Sequence, residues 1–473
     1  MLEVAADGYA PRHVHHQPLR LEYRVTPLVN LRFASARDSL RTQLWPLPVA
    51  GIVLAVAAGV LMPHWDALVD AELPSWSTSL FFGGDAGAAR SLLDTISSSL
   101  ITVTSLTFSL TVVTLQLASS QFSPRLLRTF TSDIFVQATL TIFLSTFTYA
   151  LTVLRAVRSG DTGGTAFVPR ISVTFAFILV VVSVLGLVLF LAHLARQIRV
   201  ETMLRDVHDD ASATVHSSTN PLDEARPLPA LPHPPPHALD ITAPSSGFMT
   251  SINEHQLLSA ATEADATLTI DCYPGNSIVE GVPIGTAWST TNDLVGDAFE
   301  RLQAAVRGAI KVGYERTAAQ DVGYGLRQLT DVANKALSPG INDPTTAIHA
   351  LGHISAILCQ LAGRDLRSIV LRDSDDRVRV VLRRPSFAEV LDAAITQPRR
   401  YGSSDPQLLN RILQLLEELA WHLDDATPIR QQLERLRTTV EHSDFDTTER
   451  GQLTDAAKRV EWAIDRRVAR SIP

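Results

Sequence analysis

The sequence predicts a membrane α-helical protein in which four transmembrane helices precede a cytoplasmic α+β region, formed by a small β half-barrel and a helical bundle. Of the 473 residues, 46% are hydrophobic and only 19% are charged, so apolar and polar residues must be segregated. Four stretches before residue 200 are almost free of charge, and each is long enough to cross a hydrocarbon core of about 30 Å. These predicted spans are 44–62, 92–119, 133–154 and 171–195.

The positions of the arginines near the span ends predict that both termini lie in the cytoplasm. They precede the first span, lie between the second and third, and follow the fourth: Arg32, Arg37, Arg41, Arg125, Arg128, Arg196, Arg199 and Arg205. The loop 63–89 has no Lys or Arg, whereas the outer loop 155–170 contains Arg155, Arg158 and Arg170 against the rule. The opposite orientation would make the other loops depart from the rule. We therefore expect a multi-pass protein of the plasma (inner) membrane.

Cysteine content and net charge restrict the cellular compartment and the classes of partner that we expect. The two cysteines, Cys272 and Cys359, argue against a disulfide framework and fit a reducing compartment. A net charge of −8 argues against a general nucleic-acid partner. The expected partners are the lipid bilayer, further copies of the chain, and ions or small polar solutes; no cofactor is expected.

The second span is rich in hydroxyls: in "SSSLITVTSLTFSLTVVTLQLASS" nearly every second or third residue is Ser or Thr. At 100° per residue, several polar side chains fall within a stripe roughly 80° wide. The pore-lining candidates on this stripe are Asp94, Ser98, Thr102, Ser105, Ser109 and Gln116. Other threonines lie off the stripe, where a hydroxyl can donate to the carbonyl four residues earlier: Thr104, Thr107, Thr111 and Thr114.

Two interpretations of this polar stripe remain open. In the first, small hydroxyl side chains pack against a neighbouring helix and bond across the interface. In the second, the hydroxyls line a water-filled path that is repeated around an oligomer axis. Asp94 favours the second, because an ionisable side chain within a span is costly. Its position near the outer end, and Arg90 four residues earlier, favour the first.

Changes in composition and periodicity predict five segments. Prolines in "RPLPALPHPPPH" indicate an extended spacer, "TLTID" alternates as a strand, and a helical period begins after residue 290. The segments are a cytoplasmic N-terminal segment with an interfacial helix (1–43), the four-helix transmembrane domain (44–200), a helical extension and proline-rich linker (201–246), a small β domain (247–290), and a helical domain with a β-hairpin at 368–384 (291–473).

The stretch "QDVGYGLRQLTDVANKALSPGINDP", residues 320–344, is the most distinctive part of the soluble region. Pro339 and Gly340 are expected to end one helix, and Asp343 with Pro344 to begin the next. The ligand or interface candidates are Asp321, Arg327, Gln328, Asp331, Asn342 and Asp343. Two interpretations remain open. The first is a solvated or inter-subunit face of linked charges with a capped corner, and the second is a polar cleft in which Arg327 and the loop at Asn342 and Asp343 bind an anion or a cytoplasmic ligand.

No motif of a familiar enzyme is present, since the sequence has no phosphate-binding loop, dinucleotide fingerprint, CxxC pair or nucleophile elbow. We therefore do not expect an enzyme and assign no catalytic residue. His349 and His353, spaced i,i+4, have no obvious third ligand nearby in sequence, so no metal site is expected.

Two motifs carry a resemblance to a known family. "SLTVVTLQLASSQFSPRLLR" and "RTAAQDVGYGLRQLTDVANKALSPGINDPTTA" together resemble the bacterial predicted membrane proteins grouped as domain of unknown function 2254. The resemblance covers about residues 30 to 440. It implies a four-span inner-membrane protein with a cytoplasmic C-terminal region, and it implies no particular activity.

Two functional hypotheses of different classes follow. The first is a homo-oligomeric channel or channel-like transporter whose second span lines a hydrophilic path and whose cytoplasmic region regulates it. The second is a non-conducting membrane-anchored sensor or scaffold that binds a partner or ligand through the cytoplasmic domain. The polar stripe and Asp94 favour the first, whereas the proline-rich spacer, which would uncouple a gate from the membrane, favours the second.

Overall fold

The structure is a computed structural model that describes residues 45–69, 81–121, 133–158, 167–197, 199–222, 231–289 and 294–471. The predicted interfacial helix in 1–43 lies outside the described residues, as do Arg125 and Arg128. The same is true of residues 223–230 of the proline-rich segment.

Four long helices occupy the apolar N-terminal part: α1 (Pro46–Val69), α2 (Ala86–Gln121), α3 (Ile134–Leu154) and α4 (Arg170–Gln197). Each of the four predicted spans overlaps one of them. Their outer faces expose large apolar side chains such as Leu54, Leu106 and Val188, as expected for helices surrounded by lipid. Helix α1 continues to residue 69, so Asp66 lies within the helix rather than in the predicted loop 63–89.

Close packing of α1 against α3 depends on two glycines of α1. A Cβ on Gly51 would lie 2.4 Å from Cγ2 of Thr141, and a Cβ on Gly59 would lie 2.7 Å from Cβ of Thr152. Both distances are shorter than any ordinary carbon–carbon contact. The small residues therefore let the two backbones approach, which is how helices gain contact area inside a bilayer.

We expect Gly59→Val to destabilise the protein by about 1–3 kcal/mol, because the added side chain must push α3 away. The measurement is unfolding of the detergent-solubilised protein. Ala57→Val is the matched control, since Ala57 lies on an exposed side of the same helix, where a larger side chain does not have to displace another helix. Equal effects of the two substitutions would contradict close packing at Gly59.

Helix α4 runs almost directly into α5 (Val200–Ser218), with only residues 198 and 199 between them. Helix α5 is amphipathic and buries Met203, Leu204, Val207 and Val215 in the core of the C-terminal helices. The proline-rich segment therefore follows α5. It does not separate the fourth apolar helix from this core, contrary to the spacer argument made from the sequence.

In the described part of the chain, eight strands form two sheets: β1 (Leu239–Thr242), β2 (Gly247–Ile252), β3 (Thr267–Ile270), β4 (Ser277–Ile278), β5 (Pro283–Trp288), β6 (Ile310–Gly313), β7 (Ile369–Arg372) and β8 (Val378–Leu382). The five-stranded sheet has the order β1-β5-β3-β8-β7, and the three-stranded sheet the order β4-β2-β6. All pairs are antiparallel except β3 with β8. Helices α6 (Glu254–Glu263) and α7 (Asp297–Ala309) pack with these strands and share one hydrophobic core with them.

The sheet extends beyond the predicted 247–290 segment at both ends. Strand β1 comes from the predicted linker and pairs with β5, while the hairpin β7–β8, which matches the predicted hairpin at 368–384, continues the sheet beside β3. The physical reason is that β3 is buried, with Leu268 and Ile270 almost fully covered, so the backbone N–H and C=O groups on its other edge require a partner strand. The β unit is thus discontinuous in sequence.

The remaining helices form the helical core together with α5: α8 (Tyr324–Ala336), α9 (Pro344–Ala362), α10 (Phe387–Tyr401), α11 (Pro406–Ala420), α12 (Thr427–His442) and α13 (Thr447–Ser471). By length and composition, five helices of the described chain could cross a membrane, namely α1 to α4 and α9. Helix α9 differs from the others because it packs against α5, α8 and α11 and buries Leu351, Ile354 and Leu358 among them.

Candidate functional site

The six polar candidates of α2 all lie on the surface of the chain, on the side of the helix that faces away from the other helices. Asp94, Ser98, Thr102, Ser105, Ser109 and Gln116 are all exposed. The threonines on the other side of α2 are buried against the chain instead: Thr104, Thr107, Thr111 and Thr114. We call the six exposed residues the α2 stripe.

Some hydroxyls of the α2 stripe find acceptors in their own helix. Ser98 Oγ donates to the carbonyl of Asp94 at 2.9 Å, and Thr102 Oγ1 donates to the carbonyl of Ser98 at 3.0 Å. The buried threonines do the same, with Thr104 Oγ1 donating to the carbonyl of Leu100 at 2.7 Å. Backbone acceptors thus reduce the cost of these hydroxyls in an apolar environment.

Asp94 is not paired with Arg90, although the sequence spacing allows it. The Arg90 guanidinium instead donates to the carbonyl of Val157 at 3.0 Å, which directs it towards the end of α3. Within the described residues, no ion pair neutralises the Asp94 carboxylate.

The α2 stripe also borders a shallow groove of about 560 Å³, lined by Thr102, Ser105, Ser109 and two apolar neighbours.

A buried polar centre joins α1, α3 and α4 near one end of the helices. Asp66 is 3% exposed, and its carboxylate accepts hydrogen bonds from the amides of Ile171 and Ser172, both at 2.9 Å. The Ser172 hydroxyl also donates to it at 2.5 Å, and Tyr149 donates to the carbonyl of Ser172 at 3.2 Å. Asp66 therefore caps the N-terminus of α4 from another helix. Sequence reasoning missed this role, and the only signal was a carboxylate directly after an apolar run.

A second polar centre lies where α3 begins and α4 ends. Asp133 caps α3 by accepting from the amide of Phe135 at 2.8 Å. Its other oxygen is 2.6 Å from Nε2 of His193 and 2.6 Å from Nε2 of Gln197. The centre fixes the end of α4 immediately before the chain enters α5.

Asp321 lies in a buried ion pair that joins the β unit to α8. Its carboxylate is 2.7 Å from Nη2 of Arg316 and accepts from the amide of Gly323 at 3.0 Å. Burial raises the pKa of Asp321 above its usual value, although the Arg316 charge acts in the opposite direction. Gly275, at φ +102°, lies against this pair, because a Cβ there would be 2.4 Å from Asp321 Oδ2. The pair is enclosed by the chain and leaves no room for a ligand at that oxygen.

The other candidates of the 320–344 stretch lie along α8 and at its far end. Arg327 and Asp331 pair within the helix at 3.2 Å, and Gln328 is buried. Asn342 has φ +51° in the corner after α8, where Asp343 caps α9 by accepting from the amide of Thr346 at 3.1 Å. Hydrogen bonds from Thr346 hold the pKa of Asp343 below its usual value.

The six candidates therefore do not surround one cleft. Asp321 precedes α8 and Asp343 follows it, and a helix of 13 residues is about 20 Å long. Asp321 lies before α8 and accepts from the amide of Gly323, so it is not on the side of this helix. The arrangement supports the predicted face of linked charges and the predicted corner more than a ligand cleft.

His353 lies next to a histidine that the sequence spacing does not bring near it. The ring centroids of His353 and His208 on α5 are 5.1 Å apart and the rings are tilted by 58°. His349 lies one turn earlier on α9. Across the described ranges, no group of three or more metal-ligating side chains has a geometry suited to a metal ion.

Helices with apolar outer faces and a separate α+β region define the chain as a multi-pass membrane protein. A family model described as predicted membrane protein (DUF2254) matches residues 41–418. The chain belongs to this family, as its two sequence motifs predict. Uncharacterized proteins of Mycobacterium bovis and Mycobacterium tuberculosis are each 34% identical to it over 447 residues, covering 93% of this chain and 84% of theirs. No solved structure matches the chain.

Proposed function

We propose that the protein is a homo-oligomeric channel or channel-like transporter of the plasma (inner) membrane, in which the α2 stripes of several copies face one another. The observation that carries the proposal is the position of the stripe. Its six polar side chains lie on the lipid-facing surface of a single chain. Polar groups in that position gain stability when something polar lies opposite them, and further copies of α2 supply it.

The proposed topology has four spans, α1 to α4, with both termini in the cytoplasm. Trp45 and Trp65, at the two ends of α1, are 57% and 71% exposed. A separation of about 20 helical positions corresponds to about 30 Å, the thickness of a hydrocarbon core, and tryptophans favour both membrane interfaces. Helix α9 is left out of the membrane, because its apolar side chains are already covered by the C-terminal helices.

The proposed link between membrane and C-terminal region is the direct passage from α4 into α5. A movement of the helical core would be transmitted to α4 through two residues only. The proline-rich segment does not interrupt this connection. The C-terminal region is therefore placed to regulate the membrane helices.

A non-conducting oligomer, acting as a sensor or scaffold, is the second candidate. It is favoured by the hydroxyls of Ser98 and Thr102, whose hydrogen bonds to their own helix allow a dry interface. In that case the stripes pack against one another and no water enters.

Cysteine scanning of α2 in membranes distinguishes the two candidates. In a background with Cys272 and Cys359 replaced by serine, cysteines at Ser98, Thr102 and Ser105 are tested with a membrane-impermeant thiol reagent and with an oxidant. The channel predicts labelling at all three stripe positions, and ion flux into proteoliposomes that falls when Ser105 is replaced by leucine. A dry oligomer predicts disulfide-linked dimers without labelling.

Thr104→Cys is the matched control, because Thr104 lies on the same helix one position from Ser105 but is buried within the chain. It should neither label nor cross-link. A lack of both labelling and cross-linking at the stripe positions would refute the homo-oligomer, and labelled stripe cysteines without any flux would refute the channel.

A further inference from the structure

We propose that His208 and His353 form a proton-sensitive contact between α5 and α9, so that the attachment of the fourth membrane helix to the C-terminal core weakens as the pH falls. The two rings, 5.1 Å apart, lie on neighbouring helices, and Nδ1 of His208 is buried without a hydrogen-bond partner in the described structure. This contact acts on the link from α4 to α5, so the inference stands whether or not the protein conducts.

Protonation of both rings places two positive charges in neighbouring rings whose centroids are 5.1 Å apart, in a partly buried position. A histidine changes charge near physiological pH, and like charges at this distance repel each other. Neutral rings pack without this cost. The contact is therefore favourable when both rings are neutral and unfavourable when both are charged.

The charged groups around the pair come from several helices. On α5, Asp209 faces His353 and is itself 3.8 Å from Arg205, both being exposed. On α9, His349 adds a further positive charge when it is protonated. Besides His208, Asp209 and His349 are therefore the charged groups that act on His353.

Three charged residues of the other helices around α9 have partners of their own. On α8, Arg327 pairs with Asp331, and on α11 Arg411 lies 3.2 Å from Glu418. On α10, Asp392 accepts a hydrogen bond from Gln432 of α12 at 2.9 Å. The nearest available compensation for protonated histidines is therefore Asp209.

The direction of the effect follows from the pKa of His353. Burial, and then the neighbouring His208 and His349, lower this pKa from its ordinary value of 6.5. A group whose pKa is lower in the packed state stabilises that state above the ordinary pKa and loses this contribution as the pH falls below it. Stability of the α5–α9 contact is thus complete above pH 6.5 and decreases below it.

Asp206 and Asp210 on α5 work in the opposite direction. Burial and mutual repulsion raise their pKa values, so acid relieves part of their repulsion within α5. Lowering the pH therefore also changes the stability of α5 through these aspartates. Single-residue variants are needed to separate that change from the effect of the histidine pair.

The test uses the full-length protein in lipid nanodiscs between about pH 7.5 and about pH 5.5, the range in which histidine titrates. Amide hydrogen exchange of α5, corrected for the intrinsic pH dependence, reports opening of the contact. We expect about a threefold to tenfold increase in opening at the lower pH, since each pH unit between two pKa values changes a protonation equilibrium tenfold.

His208→Gln and His353→Gln should each remove most of this increase, because glutamine stays neutral throughout. His422→Gln is the matched control, since His422 is exposed and far along the sequence from the pair. An unchanged increase in both pair variants would overturn the proposal.

Histidine C2-hydrogen exchange of the wild-type protein gives a second measurement that does not depend on folding of the variants. It yields the pKa of each histidine separately. The proposal requires a pKa of His353 below its ordinary value of 6.5, and a value at or above 6.5 would overturn it.

Discussion

Replacing Arg316 by alanine is expected to destabilise the C-terminal region by about 2–3 kcal/mol at neutral pH, because it leaves the buried Asp321 carboxylate without its counter-charge. Asp321 is 4% exposed, whereas Arg316 is partly open to solvent, which keeps the expected loss below that of a fully buried pair. Unfolding of the purified protein by heat or urea measures it.

The loss should become smaller in acid. The pKa of Asp321 is raised by burial, so the folded state holds its proton at pH values where the unfolded chain has lost it. Stability from this group is present below the unfolded value of 3.8 and decreases as the pH rises through the folded pKa. Removing the guanidinium raises that pKa further and steepens the decrease.

Arg372→Ala is the control, because Arg372 belongs to an exposed pair, 3.6 Å from Asp376. Its removal should cost less than about 1 kcal/mol at any pH. An Arg316→Ala variant as stable at pH 7 as at pH 4, relative to the wild type, would contradict the buried-pair account.

Replacing Asp66 by alanine is expected to destabilise the membrane helices by about 3 kcal/mol, because two amides and one hydroxyl at the start of α4 lose their acceptor. Asp66→Asn keeps one carbonyl oxygen and should lose roughly half as much. Unfolding in detergent micelles provides the measurement.

Asp85→Ala is a suitable comparison for Asp66→Ala. Asp85 is exposed and accepts one hydrogen bond, from the amide of Ala88 at 2.8 Å, so its loss should cost about 1 kcal/mol. If Asp85→Ala and Asp66→Ala had equal effects, Asp66 would not be a buried link between helices.

Features set by local sequence could be predicted. The apolar helices follow from uninterrupted hydrophobic runs, and the corner before α9 follows from Pro339, Gly340 and the cap at Asp343. Helix α11 begins in the same way as α9, because the Asp405 side chain accepts from the amide of Leu408 and Pro406 is the first helical residue. In each case the residues that determine the element lie within a few positions of one another.

Features set by distant residues could not be predicted. Strand β8 pairs in parallel with β3 across more than a hundred residues, with Leu268 opposite Val380. The Asp66 cap joins residues 105 and 106 positions apart, and the His208–His353 contact joins two helices between which strands β1 to β6 lie in the sequence. No periodicity in the sequence carries information about such contacts.

The candidate sites show the same division. Helical periodicity groups the six residues of the α2 stripe on one side of the helix, but it cannot tell which side of a helix faces the rest of the chain. For the 320–344 stretch, the sequence left open a cleft formed by Arg327 and the loop at Asn342 and Asp343. In the structure Arg327 lies in the first turn of α8, whereas the loop follows the last turn of this helix of 13 residues. Only the structure decides which polar residues share an environment.

The position of α5 has a consequence for work with soluble fragments. A fragment that begins after the proline-rich segment lacks Met203, Leu204 and Val207, and so exposes the apolar surfaces of α8 and α9 that these side chains cover. Such a fragment should aggregate on expression. A longer fragment that begins at Val200 retains α5, which covers these surfaces, and it is the fragment expected to remain in solution.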